Sequence, residues 1–140
     1  MYEIFEHTAD LGIRVRAGSL SQLFVDAARG LFSVMVANLD AVRTVQEVSF
    51  NLKGENLEGL WHDWLAELLY TFHGRRLLLA EFQVEICEAA GDIALTATAR
   101  GEPIDLSRHE IDAEVKAVTW HGLKVEQHTD GWLAEVILDI

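Results

Sequence analysis

Apolar and polar residues alternate through Ile13, Val15 and Ala17, with Arg14 and Arg16 between them. That period of two is the signature of a half-buried strand, and a shorter strand is expected just before His7. From Ser19 onward the period lengthens. Leu20, Leu23, Phe24, Ala27, Ala28, Leu31, Phe32 and Met35 fall on one helical stripe over four turns. Ser19 and Gln22 have the spacing of a capping box, and the helix is expected to end near Asn38. Val48, Phe50 and Leu52 then alternate with Glu47, Ser49 and Asn51, giving another strand that Gly54 interrupts. A second stripe follows through Leu57, Leu60, Trp61, Trp64, Leu65, Leu68, Leu69 and Phe72. Asn56 is its candidate cap and Gly74 its candidate stop.

The second half of the chain is richer in strands. Phe82, Val84 and Ile86, and then Ile93, Leu95, Ala97 and Ala99, alternate with polar neighbours around a turn at Gly91-Asp92, which predicts a hairpin. Residues 101–113 read as irregular, and Pro103 argues against a central strand there. Glu114 to Trp120, Leu123 to Gln127 and Trp132 to Ile140 read as strands, with breaks near Gly122 and at Asp130-Gly131. Helices come early and strands cluster late, without a βαβ rhythm. The expectation is one α+β domain over residues 1–140, with a largely antiparallel or mixed sheet and two long amphipathic helices packed on it.

Composition narrows the function. Lys and Arg total 11 against 23 Asp and Glu, a formal net charge of −12 over 140 residues. Such a chain is repelled by phosphate backbones, so direct binding of nucleic acid is not expected. A cation or a basic protein surface suits it better, although net negative charge also serves solubility. Cys87 is the only cysteine, so no internal disulfide is expected. The opening residues lack the features of a signal peptide. The longest apolar runs, such as Leu77 to Ala80, are far too short for a bilayer. A cytoplasmic location without membrane attachment is the corresponding expectation.

Two acids stand among apolar residues. Asp10 lies in His7-Thr8-Ala9-Asp10-Leu11, and Asp139 shares a strand face with Leu133, Glu135 and Ile137. If the first and last strands are neighbours, Asp10, Asp139 and the carboxylate of Ile140 converge. Each pair of carboxylates at about 4 Å repels by roughly 4 kcal/mol at an effective dielectric near 20. Such a group must take up protons or bind a cation, and its hard oxygens suit Ca²⁺, or Mg²⁺ with retained waters. His7 as a further ligand would favour a transition metal. The competing explanation is structural: Asp10 forms an Asx turn between strands and Asp139 is an ordinary exposed acid. Elsewhere, His62 and Asp63 read as a solvated helix face, His121 as a packed or turn histidine, and Cys87 as a structural thiol. No nucleotide-binding or nucleophile-elbow motif is present.

Four stretches together resemble the archease family: His7-Thr8-Ala9-Asp10-Leu11-Gly12-Ile13, Glu67-Leu68-Leu69-Tyr70, Glu114-Val115-Lys116-Ala117-Val118-Thr119-Trp120-His121, and the final Asp139-Ile140. They keep the family's order and span the chain. Leu11 replaces a common Ile and Trp120 a common Tyr. The resemblance implies a non-enzymatic protein cofactor that activates an RtcB-type RNA ligase in tRNA splicing or RNA repair, by promoting its guanylylation and repeated turnover. It also implies, as an alternative, a chaperone-like modulator of a tRNA methyltransferase. The metal site it implies, typically holding calcium, comprises Asp10, Asp139 and Ile140. Two further readings compete: a small metal-dependent hydrolase using Asp10, Asp139 and His7, and a plain interaction domain.

Overall fold

The computed structural model describes residues 1–7 and 9–140, with Ala89 described by its backbone alone. The strands are β1 (Tyr2–His7), β2 (Asp10–Ala17), β3 (Gln46–Gly54), β4 (Leu77–Ala89), β5 (Asp92–Pro103), β6 (Ala117–Val118), β7 (Lys124–His128) and β8 (Gly131–Asp139). The helices are α1 (Leu20–Met35) and α2 (Leu57–Arg75), with a short 3-10 turn at Leu39–Ala41. The α+β expectation holds, with a refinement: the strands divide between two antiparallel sheets. One runs β1-β2-β8-β6, with β7 also paired to β8, and the other runs β3-β5-β4.

Both helices form for the reasons their stripes suggest. The Ser19 side chain accepts from the Gln22 N–H, and that of Asn56 from the Gly59 N–H, satisfying donors that the first turn leaves free. Leu23, Phe24, Ala27, Ala28, Leu31 and Phe32 of α1 are fully buried, as are Leu60, Trp61, Trp64, Leu65 and Leu68 of α2. They meet the alternating inward residues of both sheets, among them Ile13, Val15, Ala134 and Val136 of the first and Leu95 and Ala99 of the second. The two buried tryptophans differ in one respect. Trp64 Nε1–H donates to the Phe24 carbonyl at 3.0 Å, whereas the buried Trp61 Nε1 has no partner among the described residues. Trp64→Phe is therefore expected to cost about 1 kcal/mol more than Trp61→Phe, since only the first loses a hydrogen bond. Urea-unfolding midpoints measure the difference, and equal midpoints would contradict it.

Several boundaries depart from expectation. Helix α1 ends at Met35, where the Val36 N–H closes the last turn on Phe32 O. Helix α2 passes Gly74 and stops at Arg76, which adopts a left-handed φ of 54°. Its carbonyl is held by the Ile104 N–H at 2.8 Å. Pro103 does end a strand that is central in its sheet. β3 reaches only as far as Gly101 opposite it, so the missing N–H of Pro103 faces no ladder. Between Leu79 and Glu81 the β4 register slips, with Ala80 as the extra residue. A Cβ on Gly101, opposite this bulge, would lie 1.7 Å from the Leu78 carbonyl oxygen.

The stretch expected to be a strand from Glu114 to Trp120 contributes only two paired residues, Ala117 and Val118. Two of its carbonyls are taken by histidines of α2 instead. His73 Nε2 lies 2.9 Å from Val115 O and His62 Nε2 3.1 Å from Val118 O. The irregular segment before it is anchored by a buried ion pair. Arg108 donates to both Glu102 oxygens, at 2.8 and 2.9 Å. The Arg43 N–H and His109 Nε2 also reach Glu102, at 2.7 and 3.0 Å. His109 Nδ1 accepts from the Asp105 N–H, so the ring proton sits on Nε2. Arg108 foremost, then the Arg43 N–H and His109, hold the Glu102 carboxyl far below the usual glutamate range.

Candidate functional site

Strand parity determines which side chains share the outer face of the first sheet, away from α1. β2 pairs with β8 from Ala17↔Trp132 to Leu11↔Leu138, and Ile13 and Val136 of that ladder point into the core. Asp10, Gly12 and Arg14 on β2 therefore lie on the opposite, outer face, with Glu135, Ile137 and Asp139 on β8. The ladder stops one residue short of Asp10 and Asp139, which follow its last pair on both strands. Continued by one residue at the usual antiparallel spacing, the register would set Asp10 opposite Asp139 with roughly 5 Å between Cα atoms. The neighbour of the last strand is β2 rather than β1, which lies outside β2 as the edge strand.

Neighbouring residues fix this end of the sheet. Arg14 Nε donates to Glu135 Oε1 at 2.7 Å, and its guanidinium lies 4.7 Å from the Phe5 ring centroid. Phe5 in turn covers Gly12, where a Cβ would fall 2.2 Å from Phe5 Cζ. The side-chain bond to Glu135 foremost raises the Arg14 guanidinium above its ordinary value. On the other edge of β8, the Lys116 N–H donates to Asp139 O at 2.7 Å. Thr119 donates to Ile137 O through both its N–H and its hydroxyl, at 3.1 and 2.9 Å. The main chain that carries Asp139 is thus held from outside, and Ile140 follows it, 37% exposed.

His7 pairs with Asp10 across the β1–β2 turn, and its ring centroid is 5.3 Å from that of His121. Its Nδ1 is buried without a hydrogen-bond partner among the described residues. Thr8, between His7 and Ala9, lies outside the described residues. Among the described residues, no three His, Cys, Asp or Glu side chains gather into a metal cage. The donors at this end are two carboxylates with the adjoining main-chain oxygens of Ile140, a hard-oxygen set compatible with Ca²⁺ or Mg²⁺.

The remaining candidates resolve differently. His62 does not belong to a solvated face. It stacks on Trp120 with centroids 3.9 Å apart and planes 10° from parallel, and its Nδ1 contacts Asp63 at 3.2 Å. With both ring nitrogens engaged, it is poorly placed as a free base. His121 lies in a turn and Cys87 is exposed on β4 rather than packed. The His62–Trp120 stack escaped sequence reasoning because its two rings come from a helix and a distant turn. Only the offset of His62 by one position from the apolar stripe hinted at it. No helix among the described residues is long and apolar enough to cross a membrane.

Comparison with known proteins adds the family context. A model of the archease protein family (MTH1598/TM1083) matches residues 2–140. The protein archease of Methanopyrus kandleri is 39% identical over 139 residues, with 99% of each chain covered. That of Pyrococcus furiosus is 39% identical, with 99% of this chain and 98% of the relative covered. Among solved structures, Methanobacterium thermoautotrophicum protein 1598 superposes with a TM-score of 0.89 at 35% identity, covering 99% of this chain and 98% of that one. An archease from Thermotoga maritima, described as a possible chaperone, shares the fold with a TM-score of 0.62 at 20% identity, covering 100% and 98%.

Proposed function

This chain belongs to the archease family, and from that premise we propose that it is a non-enzymatic, cation-binding protein cofactor that activates an RNA ligase in tRNA splicing or RNA repair. The observation that carries this reading is the β2–β8 register, which leads Asp10 and Asp139 to the same end and the same face of one sheet. Asp10, Asp139 and the main-chain oxygens of Ile140 would hold the ion, with calcium favoured by the all-oxygen donor set. When bound, the cation neutralises the repulsion between the two carboxylates and presents positive charge at an otherwise acidic tip. The chain's own part is to hold both acids at fixed spacing through the clamped edge of β8. The formal charge of −12 favours approach to a basic, metal-bearing pocket on the ligase, where the tip supports guanylylation and repeated turnover.

Asp10→Ala and Asp139→Ala test the reading. Each is expected to remove heat of Ca²⁺ binding in calorimetry and to abolish stimulation of ligase guanylylation, while circular dichroism and melting stay close to the parent. Full stimulation by both variants would overturn it. If the parent leaves the ligase unaffected but alters a tRNA methyltransferase, the chaperone-like alternative takes its place. Phosphoester turnover by the isolated chain with divalent metal would instead establish the hydrolase.

A further inference from the structure

The molecule exposes a few large apolar side chains, and two of them, Trp120 at 59% and Tyr70 at 73%, flank one acidic strip. Asp63, Glu67 and Tyr70 follow the i, i+4, i+7 spacing that lines one side of α2, and all three are exposed. His62 sits one residue aside, facing the 115–118 segment whose Val118 carbonyl it engages, and Trp120 lies flat on it. Tyr70 is two turns further along, about 12 Å by helix rise. Glu114 and Lys116, on the segment that His62 and His73 of α2 engage, are exposed as well.

We propose that the band formed by Trp120, His62 and Tyr70 is the surface on which this chain docks against a basic face of its protein partner, beside the Asp10–Asp139 end. Three observations favour that occupant. Trp120 is already held in place, because its stacking partner is fixed at both ring nitrogens, so little side-chain freedom is lost when a partner covers it. Tryptophan and tyrosine are the residues that most often dominate interface energies. The surrounding charge is negative, which disfavours phosphate backbones and a second copy of the same acidic face, and favours Lys and Arg on the partner. The band is also continuous with the candidate cation site. Thr119, next to Trp120, bonds Ile137, Ala117 pairs with Asp139, and His121 lies against His7. A partner that receives the tip therefore meets the band as well.

This inference rests on the activator reading for the identity of the partner, so the experiment separates the two. The full chain, Trp120→Ala with Tyr70→Ala as a double variant, and Glu67→Lys are compared for Ca²⁺ binding by calorimetry and for ligase guanylylation across chain concentration and salt. The expected result is unchanged Ca²⁺ binding, a half-maximal concentration raised tenfold or more in the double variant, and the parent maximum recovered at saturation. Glu67→Lys is expected to weaken docking most at low salt and least at high salt. It alters only an exposed helix position, so it remains informative should the double variant unfold. A folded double variant, or Glu67→Lys, with the parent's half-maximal concentration overturns the docking surface and leaves the activator reading standing. A parent chain that neither binds nor stimulates the ligase overturns both.

Discussion

Glu102→Ala is expected to lower the unfolding free energy by about 3 kcal/mol, near the lower end of the range for breaking a buried ion pair. Glu102 is 6% exposed and His109 3%, while the Arg108 side chain keeps partial contact with solvent, which tempers the loss. The substitution takes the carboxylate from the Arg108 guanidinium, which still reaches Ala41 O, and strands the His109 Nε2–H and the Arg43 N–H. The sign of the pH dependence follows from the depressed carboxyl. Above the unfolded glutamate value of 4.5 its contribution is fully present, and it fades as pH falls through the lower folded value. Chemical denaturation of the parent and of Glu102→Gln between pH 7 and pH 3 should show the parent losing stability more steeply below about pH 4.5. Parallel curves, or an alanine variant within about 0.5 kcal/mol of the parent, would show that the cluster contributes little.

Gly101→Ala is expected to be at least as damaging, about 3 kcal/mol or more, read as a fall in melting temperature of roughly 10 °C. Most glycine substitutions in strands are mild, because the new methyl meets movable side chains. Here it meets main chain, 1.7 Å from Leu78 O and 2.8 Å from Leu79 Cα. Relief requires moving the bulged strand that also carries the buried Leu77, Leu78 and Leu79. Gly12→Ala is the useful contrast, since the atoms in its way belong to the Phe5 ring, which can swing outward. Similar melting temperatures for Gly101→Ala and the parent would mean that the bulge moves aside without strain.

What could be read in the chain before folding was whatever repeats locally. Both helices, with the caps at Ser19 and Asn56, follow from spacing, because burial of one face imposes a period that survives in the residues. The strands from Ile13 to Ala17 and from Ile93 to Ala99 follow in the same way. The left-handed Arg76 could not be foreseen, since a glycine two positions earlier is the better intrinsic stop. The Glu114–Trp120 stretch looked like a strand and is mostly not one, because histidines on α2 claim carbonyls that a sheet would otherwise use. Of the candidate site, Asp10 and Asp139 were legible as acids out of place in apolar alternation. The buried Nδ1 of His7 and its approach to His121 were not, nor was the Glu102–Arg108–His109 cluster. All three depend on a turn bringing together side chains that share no period.

The two sheets also differ in how far apart their strands lie along the chain. β3, β4 and β5 succeed one another and enclose α2, so that unit assembles from local pieces. The β2–β8 pairing instead brings together Arg14 and Glu135, 121 residues apart, a closure that costs about 4 kcal/mol in chain entropy beyond a constant term. Contacts of that span are slow to form in folding, and the last pair of a ladder opens more readily than its middle. Asp10 and Asp139 follow the last pair of that ladder, so the candidate cation site depends on this long-range closure and not on the local unit. Hydrogen exchange should then be faster at Leu11 and Leu138 than at Leu95 or Ala97, and a bound divalent ion should slow it selectively at the first pair.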